Sequence, residues 1–411
     1  MLATAALKCR DFRLLFVGVV VSNIGLQMQG TAIGWELYDR THSAYALGFV
    51  GLIALIPLLA LALPAGHIID THDRRRVLMM SLAIFTAASI GLALVSRTHG
   101  PLAALYGCVL LTGVARAFHT PARNALLPEL VPPAILANAV TWNSGGWQLA
   151  SVVGPAVGGA LIAALGGAVA VYVCSGVATL TFLLLAAAIR HRSTERLTQV
   201  MTASALVAGV RFVARSKLLL PIITLDLFAV LLGGATTLLP IYAKDILRVG
   251  PAGLGWLDAA PSLGAVLMAV ALASFPPMRR AGRTLLWAVL GFGVGTLVFG
   301  VSQNFALSLT MLAVIGGLDM VSVVIRNTIA PLVTPDEMRG RVGSITGLFI
   351  GTSNLLGGFE SGAVAGAFGP VFSVVSGAIG TVIVVFAVAW YWPSVRRLGT
   401  LASVEPEPIV L

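Results

Sequence analysis

Twelve long apolar segments run through the sequence, separated by short stretches that carry charge or clusters of glycine and proline. A helix needs about 20 mostly apolar residues to cross the hydrocarbon core of a bilayer. Of the residues, 58% are hydrophobic and only 10% are charged, whereas about a quarter of a soluble protein's residues are charged. A soluble enzyme, a disordered chain and a secreted disulfide scaffold are therefore excluded, and the sequence predicts an all-α polytopic membrane protein. The predicted spans cover residues 12–37, 44–66, 77–96, 101–122, 134–164, 167–189, 218–243, 251–275, 284–303, 305–330, 341–367 and 370–392.

The distribution of lysine and arginine predicts the orientation of these spans. If the N-terminus is cytoplasmic, 20 basic residues fall on the cytoplasmic side and four fall outside, while Arg116 and Arg326 lie within or at the end of spans. Basic loops stay in the cytoplasm, so we expect a multi-pass protein of the plasma membrane (bacterial inner membrane) with both termini cytoplasmic. No nucleic-acid partner is expected, because the net charge of +10 is spread over short loops and not clustered on one soluble face.

An internal repeat relates the two halves of the sequence. An arginine–asparagine pair and two prolines near the end of the fourth span recur 203 residues later, near the end of the tenth. Duplicated halves of six helices are typical of transporters built from parallel repeats, whose substrate binds near the midplane between the halves. We therefore predict two pseudo-symmetric six-helix bundles. The related positions are Arg123 and Arg326, Asn124 and Asn327, Pro128 and Pro331, Pro132 and Pro335, Arg76 and Arg279, Gly154 and Gly357, and Asn23 and Asp226.

The repeat and the single long polar connection predict four segments. These are an N-terminal six-helix bundle at 1–189, a basic cytoplasmic linker at 190–217, a C-terminal six-helix bundle at 218–392 and a cytoplasmic tail at 393–411. The later part of the linker mixes apolar and basic residues. It would lie along the membrane surface as an amphipathic helix or, equally, form a solvated connection.

The loop after the second span carries a glycine, which would let helices approach closely, an aspartate four residues later and a basic cluster. This pattern resembles the signature loop between helices 2 and 3 of the major facilitator superfamily, with Thr71 and Asp73 as departures from it. The resemblance implies a latch that closes the cytoplasmic face, in which Asp70 faces the positive N-terminal end of the eleventh helix near Arg339 or Arg341. A solvated basic turn is the alternative. The predicted latch residues are Gly66, Asp70, Arg74, Arg75 and Arg341.

The fifth span contains a glycine-proline motif whose small residues allow close helix packing. It resembles the motif that marks the antiporter, or exporter, branches of the same superfamily; ordinary small-residue packing is the alternative. The run 116–132, together with 11–13 and Trp35, is similar to the enterobactin-exporter-like facilitators, which implies export of siderophores or assorted hydrophobic compounds. Drug/proton antiporters usually carry an arginine where this chain has Val109, so any role of that arginine would fall to Arg116. The residues of the exporter motif are Gly154, Pro155, Gly158 and Gly159.

Ionisable groups inside spans mark candidate functional sites, because each costs roughly 2.5–3.5 kcal/mol near mid-helix on insertion scales. Asp226 lies near the midplane and has no cation in its own span, so it is the first candidate for proton coupling. Arg116 and Asp319 are repeat equivalents of opposite sign, which would pair with each other or bind opposite ends of a charged substrate; a structural ion pair is the alternative. Asp258 and Glu360 lie in the outer third of their spans, where water has access. A structural or vestibule role fits this position as well as proton coupling does. The predicted proton-coupling residues are Asp226, Asp319 and Glu36.

Polar and aromatic side chains at the same depth suit an amphipathic substrate, which needs broad apolar contact and a few placed polar groups. The sequence has no nucleotide-binding signature, no recognisable nucleophile–base cluster and no metal-spaced His/Cys cluster. We therefore predict a protein that is not an enzyme and that has no catalytic residue, no cofactor and no metal site. The predicted substrate-binding residues are Asn23, Gln27, Trp35, Arg116, Asn143, Trp147, Gln148, Asp226, Asp319, Asn354 and Glu360.

These features and the resemblance predict a secondary active transporter. We expect a proton-coupled exporter of an amphipathic organic compound, siderophore or drug-like, that works by alternating access as a monomer in the lipid bilayer. A lipid, lysolipid or metal-ion transporter of the same fold is the first alternative, although few metal-ligating side chains lie at cavity depth. From another class, the alternatives are a non-transporting membrane receptor and an intramembrane enzyme.

Overall fold

The computed structural model describes residues 4–191, 203–274 and 280–399. The regular structure of these residues is helical, without a strand. In chain order the helices are α1 (Arg10–Thr41), α2 (Ala44–Ala60), α3 (Ala62–Thr71), α4 (Arg74–Arg97), α5 (Leu102–Leu126), α6 (Leu136–Leu165), α7 (Val169–Ala187), α8 (Ala203–Arg215), α9 (Leu219–Leu232), α10 (Leu239–Ile241), α11 (Gly250–Ser274), α12 (Ala281–Val301), α13 (Phe305–Val333), α14 (Arg339–Phe368), α15 (Pro370–Tyr391) and α16 (Pro393–Arg397).

The helices of the described residues are long and apolar enough to cross a membrane eleven times, or twelve times if the bent pair of α2 and α3 counts as one span. This architecture confirms the predicted all-α polytopic fold class. The pair bends by 48°, where the sequence predicted one uninterrupted span at 44–66. Pro64 lies in the first turn of α3; it has no backbone N–H to donate to the carbonyl oxygen of Ala60, and its ring would clash with that carbonyl, so the helix breaks after Ala60.

The seventh span changes its helical geometry midway. After α9 the chain continues through a 3₁₀ turn at Ala235–Leu238 and a π-helical turn at Tyr242–Ile246. The change follows Gly234, where an added Cβ would lie 2.7 Å from the carbonyl oxygen of Gly357 in α14. Two backbones approach each other here, which requires glycine.

The contacts between helices divide the chain into two compact units. The first unit comprises Met1–His42, Leu52–Met201 and Val249–Ala259, and the second comprises Ser43–Gly51, Thr202–Arg248 and Ala260–Leu411. These units differ from the two predicted six-helix bundles in two places: the first turns of α2 belong to the second unit, and the first turns of α11 belong to the first unit. The domain boundaries expected from the sequence stay a prediction. Glycines allow close packing in both places. Gly48 of α2 packs against Gly362 in the second unit, and Gly255 of α11 packs against Gly159 in the first.

Each unit has its own apolar core. In the first unit, α1 packs against α6 and α7, and α4 packs against α5 and α7; Phe12 and Phe182 are fully buried there. In the second unit, α12 packs against α13 and α15, and α14 packs against α9 and α15, around buried residues such as Leu285 and Ile325. These packed helices fix the positions of the polar side chains described below.

The predicted linker is partly helical. Residues 192–202 of the linker and 400–411 of the predicted tail lie outside the described residues, as does Arg279 in the second of the repeat-related loops. The later part of the linker forms α8, on which Phe212 is buried and Arg211 is exposed. α8 packs against α14 in the second unit, so this part of the linker has the amphipathic character that the sequence suggested.

Candidate transport site

A charged cluster lies in the second unit where α9 and α13 meet. The Asp226 carboxylate and the Arg326 guanidinium form an ion pair, and their side chains are only 9% and 13% exposed. A carboxylate oxygen of Asp319 lies 4.0 Å from Nη2 of Arg326, and the Asp319 side chain is 46% exposed. Asp319 and Arg326 are seven residues apart on α13 and therefore share a face. Arg326 is therefore close to one buried carboxylate and to one that is more exposed. We call Asp226, Arg326 and Asp319 the charge triad.

The triad corrects the argument that placed Asp226 first among the proton-coupling candidates. Its own span carries no cation, as the sequence indicated, but α13 supplies Arg326. A paired carboxylate is stabilised in its charged form, which removes the reason for that ranking. Arg326 is absent from the predicted site residues, although two signals in the sequence point to it: its position inside a span and its spacing of seven residues from Asp319. The predicted pairing of Asp319 with Arg116 involves residues of different units and stays a prediction.

A cavity adjoins the triad within the second unit. Its free volume is about 30 Å³, well below the roughly 300–1,000 Å³ typical of small-molecule sites, so the cavity is narrow. Its wall is mostly apolar and carries a few polar groups, the composition that suits an amphipathic ligand. The lining residues are Leu219, Ile222, Ile223, Asp226, Leu227, Arg326, Asn327, Ile329, Ala330, Thr346, Phe349, Ile350 and Ser353.

Polar side chains of α1 contact neighbouring helices in the first unit. Gln27 Nε2 donates a hydrogen bond to Ser151 Oγ in α6 at 3.3 Å, and Thr31 Oγ1 donates to Asp258 Oδ2 in α11 at 2.7 Å. Asn23 is buried, and its Nδ2 has no hydrogen-bond partner among the described residues. Asp258 therefore has a structural partner, whereas Asn23 has a donor available for a bound molecule.

Glu36 belongs to a polar network at the end of α1. Tyr172 Oη donates a hydrogen bond to Glu36 Oε2 at 2.7 Å, and Glu36 forms an ion pair with Arg40 one turn later. Arg40 in turn donates to the carbonyl oxygens of Gly100 at 3.1 Å and Ser96 at 3.3 Å. This network joins α1 to α7 and to the α4–α5 connection. Such fixed partners suit a structural role, and the proton-coupling role of Glu36 stays a prediction.

The remaining predicted substrate-binding residues are distributed over both units. In the second unit, Asn354 Nδ2 donates to the Ile350 carbonyl oxygen of its own helix at 2.8 Å, and Glu360 accepts a hydrogen bond from Ser361 Oγ at 3.3 Å. Neither Asn354 nor Glu360 is joined to the triad by a hydrogen bond or ion pair in the described part of this unit. In the first unit, the half-buried residues are Trp35, Asn143 and Gln148, and the exposed residues are Arg116 and Trp147.

Two of the three predicted latch arginines, Arg74 and Arg75, have partners inside the first unit. Arg74 forms an ion pair with Glu129, and Arg75 Nε donates to the carbonyl oxygen of Ala186 near the end of α7 at 2.8 Å. Asp73 accepts a hydrogen bond from the Arg75 backbone N–H at 2.9 Å. This departure from the superfamily pattern therefore provides an N-cap for α4.

The structure corrects the reason given for Gly66. An added Cβ at Gly66 would meet no atom of the described residues within 4 Å, so the expected close approach of helices at this glycine is wrong among them. Asp70 is half-buried. Arg341 is exposed, and its Nη1 lies 3.4 Å from the sulfur of Met338. Closure of the cytoplasmic face by these residues stays a prediction.

The glycines of the exporter motif lie at helix crossings of the first unit. An added Cβ would lie 2.9 Å from the Ile24 carbonyl oxygen at Gly154 and 3.0 Å from Met28 Cα at Gly158. Gly159 faces the first turns of α11 in the same way. The motif therefore lets α1 and the start of α11 pack closely against α6.

The sequence is similar to known transport proteins over nearly its whole length. A family model described as "Transmembrane secretion effector" matches residues 2–405. The multidrug efflux pump Tap of Mycolicibacterium fortuitum is 30% identical over 373 residues, which cover 87% of this chain and 89% of Tap. The enterobactin exporter EntS of Shigella boydii is 26% identical over 374 residues, which cover 91% of this chain and 89% of EntS.

The fold is similar to solved membrane transporters. A mutant of the peptide transporter POT superimposes with a TM-score of 0.76 at 12% identity, covering 94% of this chain and 95% of that one. A bacterial homologue of the human lysosomal transporter Spinster gives a TM-score of 0.75 at 14% identity, covering 95% and 99%. These likenesses show the fold alone.

Proposed function

The chain belongs to the transmembrane secretion effector family of the major facilitator superfamily, and we propose that it exports an amphipathic organic compound in exchange for protons. Members of this superfamily are secondary transporters and not enzymes, so a small molecule crosses the membrane without covalent change. The substrate, the direction and the coupling ion are the proposal. One observation carries it, which is the charge triad beside a mostly apolar cavity among membrane-spanning helices.

The triad offers one carboxylate for proton exchange. Asp226 is buried and paired with Arg326, whereas Asp319 is 46% exposed and lies 4.0 Å from the same guanidinium. With both carboxylates ionised the triad has a net charge of −1, and protonation of Asp319 makes it neutral. A cationic group of the substrate would bind the ionised form of Asp319 much more tightly than the protonated form. Proton and substrate then compete for one site, which gives the negative coupling that exchange requires.

The chemistry of the cavity favours a drug-like amphipathic substrate. Apolar side chains such as Ile222 and Phe349 form most of its wall, and the charge triad supplies a negative end. The description of Tap as a multidrug efflux pump supports this class of substrate. The description of EntS as an enterobactin exporter makes a catecholate siderophore the second compound to test.

Direction and placement in the membrane complete the proposal. The glycine-proline motif of α6 and the printed names of both relatives support export. The asymmetry of the basic residues supports a bacterial inner-membrane protein with both termini in the cytoplasm. We propose that one chain suffices for transport by alternating access.

Transport in proteoliposomes tests proton coupling. Purified protein is reconstituted into liposomes whose lumen is more acidic than the outside buffer. Accumulation of the fluorescent cation ethidium inside the liposomes is then followed. We expect the gradient to accelerate accumulation by the native chain, and the acceleration to fall at least about tenfold in Asp319→Asn, which cannot exchange a proton. Ethidium exchange at equal pH on both sides should also weaken in this variant, because the amide removes the ionised carboxylate to which the cation binds.

The matched control is Asp336→Asn. Asp336 lies in the same unit, in the 3₁₀ turn just before α14, and its side chain is 83% exposed and pairs with Arg339. This variant should keep the response to the pH gradient. If Asp319→Asn also keeps it, the coupling role of Asp319 is refuted; if the native chain moves neither ethidium nor enterobactin, the substrate class is wrong.

A further inference from the structure

A basic groove lies in the second unit, between the start of α12 and the ends of α15 and α16. Four exposed arginines line it. One directly precedes α12, one lies in the first turn of α12, and two lie in α16. None of the described residues that line the groove is acidic. The four arginines are Arg280, Arg283, Arg396 and Arg397.

Backbone contacts hold the two basic segments together. The N–H groups of Ala281 and Gly282 donate to the carbonyl oxygens of Gly399 and Leu398 at 3.0 and 3.3 Å. These bonds satisfy donors of the first turn of α12 that have no partner within the helix. A Cβ at Gly282 would overlap the Val395 carbonyl oxygen, so α16 lies directly against α12. The arginines are therefore presented by a packed framework.

The groove continues from the arginines onto an apolar wall along α12 and α15. Trp287 is 70% exposed and Phe386 is 62% exposed, and Leu290 and Val385 complete this side of the lining. Tryptophan near the end of a membrane helix is typical of the boundary between headgroups and acyl chains. The groove thus combines a cationic end with an apolar end within a volume of about 820 Å³.

We propose that this groove binds one anionic phospholipid. Its phosphate lies among the four guanidinium groups, and an acyl chain runs along Trp287 and Phe386. Arginine donors match phosphate oxygens in geometry as well as in charge, and basic pockets between membrane helices are a known form of phospholipid headgroup site. The end of the groove that carries the arginines is the one that the sequence predicts to be cytoplasmic. The proposal is independent of the transported substrate, because the groove shares no residue with the cavity beside the charge triad.

Thermal unfolding of the purified full chain in detergent tests the site. A short-chain phosphatidylglycerol is titrated, with phosphatidylcholine and inorganic phosphate as separate arms. A lipid that binds the folded chain raises its Tm in a saturable manner. We expect saturable stabilisation by phosphatidylglycerol alone. The variant Arg283→Gln/Arg396→Gln should bind it roughly 30-fold more weakly, given the contribution of each basic residue to binding of anionic lipid.

Arg76→Gln is the matched control. Arg76 is a basic residue of the first unit with a side chain 83% exposed, and its replacement should leave the phosphatidylglycerol response unchanged. An equal loss in this control would overturn the proposal, since it would reflect net charge only. Equal stabilisation by inorganic phosphate would make the groove a site for free anions.

The acidic tail is the other possible occupant of the groove, because Glu405 and Glu407 follow Gly399 in the chain. Under the proposal, Glu405→Gln/Glu407→Gln keeps both the lipid-free Tm and the lipid response. If this variant instead lowers the lipid-free Tm as Arg283→Gln/Arg396→Gln does, the tail occupies the groove and the lipid site is refuted.

Discussion

Replacement of Arg326 by glutamine should destabilise the chain far more than replacement of an exposed arginine. Arg326 and Asp226 are only 13% and 9% exposed, so the substitution leaves a carboxylate in the protein interior without its cation. Loss of one partner of a buried pair costs about 3–5 kcal/mol. Asp319 adds little to this figure, because it is 46% exposed and 4.0 Å away, and exposed pairs contribute about 0–1 kcal/mol.

The double variant Arg326→Gln/Asp226→Asn separates the ion pair from simple loss of packing. Both charges of the buried pair are then replaced by neutral amides, and among the described residues the only carboxylate that loses Arg326 is that of the more exposed Asp319, 4.0 Å away. Replacing a whole buried pair is often close to neutral, so the double variant should recover much of the stability lost in Arg326→Gln. The coupling energy from the complete cycle should reach about 2 kcal/mol.

Denaturant unfolding of the purified protein in detergent micelles, followed by tryptophan fluorescence, supplies the four free energies of the cycle. Arg339→Gln is the control within the same unit, because Arg339 pairs with Asp336 at 2.7 Å while the two side chains are 52% and 83% exposed. Its cost should be about 0–1 kcal/mol. If Arg326→Gln costs no more than this control, or if the effects at Arg326 and Asp226 simply add, the buried pair is not what stabilises the junction of α9 and α13.

The remaining predictions concern packing and polar contacts. Tyr172→Phe should lower stability by about 1.5–3 kcal/mol in thermal unfolding, since it removes a buried hydrogen bond to the carboxylate of Glu36; an unchanged unfolding temperature would contradict the network at the end of α1. Gly282→Ala should lower the Tm, because its Cβ overlaps the backbone carbonyl of Val395, whereas Gly343→Ala, whose Cβ meets nothing within 4 Å, should leave the Tm unchanged or raise it. Effects in the same direction and of the same size at the two glycines would refute this assignment of α16.

The membrane fold could be predicted because its signal is local. Each span is one apolar run of sufficient length, and the cost of charge in hydrocarbon singles out Asp226 and Asp319 without knowledge of any contact. The partner of Asp226 could not be predicted in this way. Arg326 is 100 positions away in sequence, and which faces of α9 and α13 meet depends on the rotation and packing of both helices, which apolar periodicity leaves open in spans that are hydrophobic on all sides.

Glycine and proline show the same limit. Pro57 and Pro64 are both visible in the sequence, but the sequence does not show that the 48° bend lies between α2 and α3, just before Pro64, and not just before Pro57. The signature-loop motif predicts a close helix approach at Gly66, where the described residues show none, whereas Gly234 lies at a close backbone approach that nothing in the sequence singles out. The sequence shows where a glycine or proline lies, but not which residues of other helices pack against it.

Substrate-driven proton movement tests the central claim most directly. Protein is reconstituted into liposomes that contain a pH-sensitive dye, and ethidium is added outside with no initial pH difference. The account predicts that ethidium entry drives protons out, so that the lumen becomes more alkaline with the native chain and with Asp336→Asn but not with Asp319→Asn. Ethidium uptake by the native chain with no change in luminal pH would contradict proton exchange through the charge triad.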